Sequence, residues 1–321
     1  MIPALHPGDT VTVVAPAGPV ERHVLMAGTE ILRGWGLTVR IAPSALDGGP
    51  APLPHLSAAD AHRARDLEWA WCDPDNAAVI CARGGYGTQR LLPLLDWEAL
   101  AGAAPKILLG YSDITALHEA FALRLGVPAW HGPMPGTAAF TGDAVAQERL
   151  RRALFTPHDL RPIGSPAARA LVPGTARGIT LGGCASLLAS GIGTPYVRPS
   201  AAGGILLLED TGEEPYRLDR ALTQLLNAGW LDGVAGIALG SWRECGPYEE
   251  VRAVLADRLV PLGVPVVEEL GFGHGPQPWT IPLGVPATLD AARGTLTPDP
   301  PADPLARAAS PGVPGSPPGP R

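Results

Sequence analysis

Residues 106–126 read KILLGYSDITALHEAFALRLG. The apolar run Ile107 to Leu109 stops at Gly110 and Tyr111; Ser112 and Asp113 then open a stretch of good helix formers that closes at Gly126, a residue suited to a helix end. This predicts a buried strand feeding a helix, and the same unit recurs upstream. VTVVAP (11–16) reads as a strand, HVLMAGTEILRGWG (23–36) as a helix ending in a glycine cap, and LTVRIAP (37–43) as a second strand. SAADAHRARDLEWAWCD (57–73) reads as a helix, AAVICARGG (77–85) as a buried strand, and TQRLLPLLDWEAL (88–100) as a helix interrupted near its start by Pro93. Such β/α repetition predicts a parallel sheet with helices on both faces. In sheets of that kind ligands bind at the carboxyl ends of the strands, where CARGGYG (81–87) and GYSD (110–113) fall.

A composition shift follows residue 155. TPHDLRPIGSPAARALVPGT (156–175) is rich in proline, alanine and glycine without a period, and is expected to connect two domains, 1–155 and 176–297. The second half carries RGITLGGCASLLASGIG (177–193), GGILLLEDTGEEPYRLDRALTQLLNAGWL (203–231), GVAGIALGSW (233–242) and VPVVEELGFGHGPQPWTIPLGVPATLDAARGTLT (264–297), which read as a smaller mixed domain. Residues 298–321 are dominated by Pro, Ala and Gly and are expected to be a disordered tail.

The chain has 321 residues, 46% of them hydrophobic, enough to bury a substantial core. A net charge of -7 with no long Lys/Arg cluster argues against nucleic acid and for a small ligand. No basic segment leads into an apolar run at the N-terminus, and no stretch of about 18 apolar residues occurs, so a soluble cytoplasmic protein without a membrane partner is expected. Four scattered cysteines, Cys72, Cys81, Cys184 and Cys245, read as free thiols. The eight histidines show no H-E-x-x-H or comparable spacing, so no metal and no cofactor are expected.

Three polar residues stand at predicted strand ends: Ser112, Glu209 after GGILLL, and His274 between glycines in GFGHG. Each has a plain structural reading, as a helix cap, a carboxylate near a helix start and an exposed loop histidine respectively. Together they also match the requirements of nucleophilic catalysis. A serine hydroxyl attacks near neutral pH only when a histidine takes its proton, and that imidazole needs a carboxylate to fix its tautomer and stabilise its charge. The oxyanion formed then needs preorganised backbone N–H groups, for which RGGYG (83–87) and Asp113 are candidates. Neither a P-loop nor a full G-x-G-x-x-G is present, and Ile114 replaces the second glycine of a G-x-S-x-G elbow.

VTVVAPAGPV, ARGGYGTQRLLPLLDW, LLGYSDITALHEAF, HGPMPG, GILLLEDTGEEPYRLDRALTQL and GFGHGPQPWTIPLGVPATLDA, in that order, resemble the LD-carboxypeptidases of the serine peptidase S66 family over residues 8 to 297. The resemblance implies an α/β fold: a Rossmann-like N-terminal domain carrying the nucleophile and a smaller, β-rich C-terminal α/β domain carrying acid and base. By matching motifs it implies Ser112 as nucleophile, Glu209 as orienting acid and His274 as base, with backbone N–H groups of Gly85 and Asp113 as the oxyanion hole. The implied substrate is a cytoplasmic muropeptide whose tetrapeptide stem loses its terminal D-alanine, a step of peptidoglycan recycling, and the implied assembly is a homodimer. Arg83 is a candidate partner for the substrate carboxylate or else a surface ion pair; Tyr86 closes over substrate or packs at its loop. Cys184 stands where relatives often have asparagine, and reads as a core thiol or an alternative nucleophile. HGPMPG and IPLGVPATLDA favour the muropeptide branch over the microcin-immunity peptidases, which hydrolyse acyl-adenylate-like antibiotics. A non-catalytic muropeptide-binding protein is the alternative from another class.

Overall fold

Apolar runs of four to six residues between helices have no polar face to offer solvent and must be covered on both sides. The computed structural model, which describes residues 3–46 and 51–299, covers them in this way. The first half runs β1 (Thr10–Val14), α1 (Arg22–Gly34), β2 (Thr38–Ile41), α2 (Pro43–Leu46), α3 (Asp60–Cys72), β3 (Asn76–Cys81), α4 (Trp97–Gly102), β4 (Ile107–Gly110), α5 (Thr115–Leu125), β5 (Ala129–His131), α6 (Ala138–Thr141) and α7 (Ala144–Phe155). The second half runs β6 (Arg169–Val172), β7 (Thr175–Cys184), α8 (Ala185–Gly191), β8 (Gly204–Thr211), α9 (Pro215–Asn227), β9 (Gly236–Arg243), α10 (Tyr248–Leu259), β10 (Val266–Glu268), β11 (Ile281–Leu283), β12 (Pro286–Asp290) and β13 (Thr295–Pro298).

The fold is mixed α/β with two sheets. The first, ordered β11-β5-β4-β3-β1-β2, is parallel from β5 to β2. Its strands alternate between two cores: Val79 and Cys81 of β3 join Trp71 and Phe121 on one face, while Ala78 and Ile80 join Leu25, Trp130 and Phe140 on the other. Each large side chain buried this way contributes roughly 1.5–3 kcal/mol. The second sheet, ordered β13-β12-β7-β8-β9-β10-β6, has a parallel centre from β7 to β10 and antiparallel flanks.

Three local expectations change. TQRLLPLLDWEAL is not one helix: two 3₁₀ turns, Thr88–Arg90 and Leu92–Leu94, precede α4, because Pro93 lacks a donor and Asp96 caps a fresh start by accepting from the Glu98 and Ala99 amides. The 156–175 stretch contains β6, an edge strand that pairs with β10, and an isolated bridge from Ile163 to Leu296. Pro298 closes β13 and Asp299 takes an ion pair from Arg177, so these two residues of the expected tail are part of the fold; residues 300–321 lie outside the described residues.

The strand β11 belongs by sequence to the second half yet completes the first sheet, antiparallel to β5 with Ile281 opposite His131. No helix among the described residues is long and apolar enough to cross a membrane. The four cysteines are free, Cys72 exposed and the other three buried.

Candidate active site

The turn out of β4 places Ser112 half-buried at φ 64°, a left-handed conformation that costs a non-glycine residue about 1 kcal/mol. The capping reading fails here: the Ser112 side chain makes no cap hydrogen bond, and the 3₁₀ turn Ser112–Ile114 leads into α5 through Ile114. A strained serine without a capping partner at a strand end is how a scaffold aims a hydroxyl at a cleft. The glycine loop after β3 rests directly on it. A Cβ on Gly84 would stand 2.8 Å from Ser112 Cβ and 2.9 Å from its Oγ, and 3.2 Å from the Asp113 amide nitrogen. Gly85 follows at φ 111°, and the loop's exit is tied back where the Asp113 carboxylate accepts from the Thr88 amide at 2.8 Å.

Glu209, two residues before the end of β8, stands beside Cys184 of β7 in register and is fully inaccessible. On its other side the pairing with β9 shifts between Leu208 and Asp210, an irregularity that sets Gly240 and Ser241 opposite Glu209. Ser241 then holds both flanks of the histidine loop: its amide donates to the Phe272 carbonyl at 2.9 Å, and its hydroxyl accepts from the Gly275 amide at 2.8 Å. His274 is thereby pressed onto Glu209, with Nδ1 2.6 Å from Oε2. Gly273 makes the approach possible, since at φ 91° a Cβ there would fall 2.4 Å from Glu209 Oε2.

The electrostatics follow from this burial. Desolvation alone would raise the Glu209 pKa, but the charge of His274, the nearby His131 imidazole and the hydrogen bond from His274 outweigh it and hold the carboxyl below its usual range. Desolvation would lower that of His274, and the Glu209 charge and hydrogen bond reverse this, leaving the imidazole above its ordinary value. Asp210, whose Oδ2 accepts from the Ser186 amide at 2.8 Å, is pushed up to about 6 by burial and then by the Glu209 charge. The Cys184 Sγ stands 3.0 Å from Glu209 Oε1, and burial followed by that carboxylate's charge pushes its pKa well up. It stands here as a thiol donor to that carboxylate, a setting that disfavours a thiolate nucleophile.

Among the described residues Cys184, Glu209 and His274 form one cluster of metal-ligand types, their donor atoms within 4.8 Å of one another. The Glu209 oxygens in it already accept from thiol and imidazole. No hydrogen bond joins Ser112 Oγ to His274 among the described residues. The ring of Tyr111, the residue before Ser112, lies 4.7 Å from that of His274, so His274 packs against the neighbour of Ser112. The two halves interlock here as well: the Cys184 amide donates to Thr115 Oγ1 at 3.1 Å, and Gly183 leaves no room for a Cβ there.

Arg83 donates to the Pro19 carbonyl at 2.9 Å, and the half-exposed Tyr86 ring meets that of His55 edge-on at 5.3 Å. Neither touches the Glu209–His274 pair. Sequence reasoning missed His131, whose Nε2 is 3.7 Å from Glu209 Oε1; its place at a strand end in HGPMPG was the available signal. It also missed Ser241, Trp242 and Arg243, at the end of β9 in GSWR, which with His274, Tyr248 and Phe272 line a cavity of about 880 Å³.

Two family models match the chain: the LD-carboxypeptidase N-terminal domain over residues 11–132 and the LD-carboxypeptidase C-terminal domain over residues 177–289. A protein of Streptomyces coelicolor named "Putative carboxypeptidase" is 58% identical over 298 residues, covering 93% of this chain and 96% of the relative. The murein tetrapeptide carboxypeptidase of Pseudomonas aeruginosa is 34% identical over 299 residues, covering 88% and 94%. Among solved structures, an MccF-like protein of Bacillus anthracis superposes with a TM-score of 0.83 at 24% identity, covering 94% of this chain and 99% of that one, which shows a shared fold.

Proposed function

The chain belongs to the S66 family of LD-carboxypeptidases, serine peptidases that are hydrolases, and on that premise we propose that it removes the terminal D-alanine from muropeptide tetrapeptides in the cytoplasm, as a step of peptidoglycan recycling. The observation that carries the mechanism is the 2.6 Å contact of His274 Nδ1 with the buried Glu209, on a loop packed against Tyr111 and hence beside Ser112. Nδ1–H bound to the carboxylate leaves Nε2 as the basic nitrogen.

In the proposed reaction the substrate enters the cavity beside His274, and the Ser112 hydroxyl closes on His274 Nε2 as catalytic hydrogen bonds tighten in the bound complex. Nε2 takes the hydroxyl proton while Oγ attacks the carbonyl of the L-centre. The amides of Gly85 and Asp113 receive the developing oxyanion. His274 passes its proton to the departing D-alanine amine, and then activates water to hydrolyse the acyl-enzyme. Arg243 lines the cavity beside His274, as Arg83 does not, and is the better placed to meet the free carboxylate, with its Nε also donating to Glu244 at 3.1 Å. We assign the nucleophile to a unit spanning 1–155 and the acid and base to 176–297, and take the assembly to be a homodimer.

The test is D-alanine release from a tetrapeptide with an L,D-linked terminal alanine, for wild type and Ser112→Ala, in the presence of EDTA. Release by wild type alone supports the reading. Release by both sinks the serine mechanism, and release by neither moves the reading to acyl-adenylate substrates or to a binding protein.

A further inference from the structure

A carboxylate as completely buried as Glu209 needs strong donors at both oxygens. Oε2 has His274; Oε1 has the Cys184 thiol at 3.0 Å, a weak donor, and His131 Nε2 at 3.7 Å. The His131 side chain is itself buried, and neither of its ring nitrogens has a hydrogen-bond partner, an expensive arrangement unless one is reserved for a partner close by. Its surroundings leave few choices. Tyr111 and Phe272 meet the ring edge-on at 5.7 and 5.6 Å, and the buried His118 of α5 makes no hydrogen bond to it. Glu209 is the acceptor it faces.

We propose that His131 is a positioning residue: its Nε2–H closes on Glu209 Oε1, so that two imidazoles, from β5 and from the loop after β10, clamp the carboxylate between them. The proposal rests on the reading of Glu209 and His274 as acid and base. Its physical content is rotational. A carboxylate held at one oxygen swings about its χ3 axis, whereas one held at both presents Oε2 to Nδ1 at a fixed angle and holds His274 in the tautomer that leaves Nε2 free.

Three variants test this against wild type. Gln at 131 carries an amide nitrogen at about the Nε2 position, Asn carries one at the Nδ1 position and cannot reach Oε1, and Leu carries none. The readouts are steady-state D-alanine release and, without substrate, the low-field proton resonance of the His274 Nδ1–H···Glu209 hydrogen bond. His131→Leu and His131→Asn are expected to lower kcat by about ten- to a hundredfold with KM little changed, the scale on which outer hydrogen-bond partners of a functional histidine register. Both should broaden or lose the resonance, while His131→Gln restores both readouts. If the Leu variant fails to fold, Asn against Gln decides. A sharp resonance and wild-type kcat in either the Leu or the Asn variant overturns the proposal, as does equal impairment in Gln and Asn. If the resonance behaves as expected while even wild type releases no D-alanine, the positioning role stands and the functional reading falls.

Discussion

Replacing Glu209 with Gln keeps shape and volume and removes one charge. In the proposed mechanism, the imidazolium formed when His274 takes the serine proton is stabilised by a carboxylate whose Oε2 is 2.6 Å from Nδ1. With charge centres about 4 Å apart and an effective dielectric constant near 20, that attraction is about 4 kcal/mol. Lost from the transition state at about 1.36 kcal/mol per tenfold, it predicts a fall in kcat/KM of about a thousandfold. The same change has a second signature. As the proposed base His274 acts only when neutral, and Glu209 holds its pKa above the ordinary value, so wild-type activity should be lost as pH falls through a value above about 6.5. In Glu209→Gln that acid limb should move to lower pH. D-alanine release across the pH range, with thermal melts to establish folding, measures both. A folded variant that loses less than about tenfold and keeps its acid limb in place would refute the assignment of Glu209 as orienting acid.

Ser112→Gly should abolish turnover yet raise stability by roughly 1 kcal/mol in denaturant melts, because glycine adopts φ 64° without the cost serine bears. Gly273→Ala should cut activity by orders of magnitude, since the new Cβ displaces the carboxylate; unchanged turnover would show that the Glu209–His274 contact is dispensable. Arg243→Ala should raise KM for the tetrapeptide more than Arg83→Ala does, and the reverse order would return the carboxylate contact to Arg83. The ion pair should also register in stability. Glu209, depressed in the fold, contributes above its ordinary value of 4.5, and His274, raised, contributes below its ordinary 6.5 and loses that contribution as pH rises through its folded value. The stability gap between wild type and His274→Gln should therefore be widest between those limits and narrow in alkali; a gap that widens in alkali contradicts the pairing.

The parallel sheet was legible because its strands are short, apolar and punctuated by helices, a pattern local in sequence. So was the candidacy of Ser112, Glu209 and His274, each expected at a strand end, although the structure puts Ser112 just past β4, Glu209 within β8 and His274 in the loop after β10. What stayed hidden is nonlocal. Nothing within IPL (281–283) says that it pairs with β5 of the other half, and β6 is a four-residue edge strand, RALV, whose short apolar run does not stand out in a segment rich in proline, alanine and glycine. His131 was overlooked because its partner lies 78 positions away, on the neighbouring sheet. The cap reading of Ser112 rested on residue type, which cannot report a positive φ.

The crossing of β11 into the first sheet bears on how the protein is made. A ribosome delivers residues 1–155 long before Ile281 appears, so the nascent N-terminal half waits with β5 as an open edge, the strand that carries His131. Only when the last strands have emerged can that edge be sealed. Competence for chemistry should therefore arrive abruptly near the end of synthesis, and a chain truncated before residue 281 should be inactive and prone to self-association even though Ser112, Glu209 and His274 are all present in it.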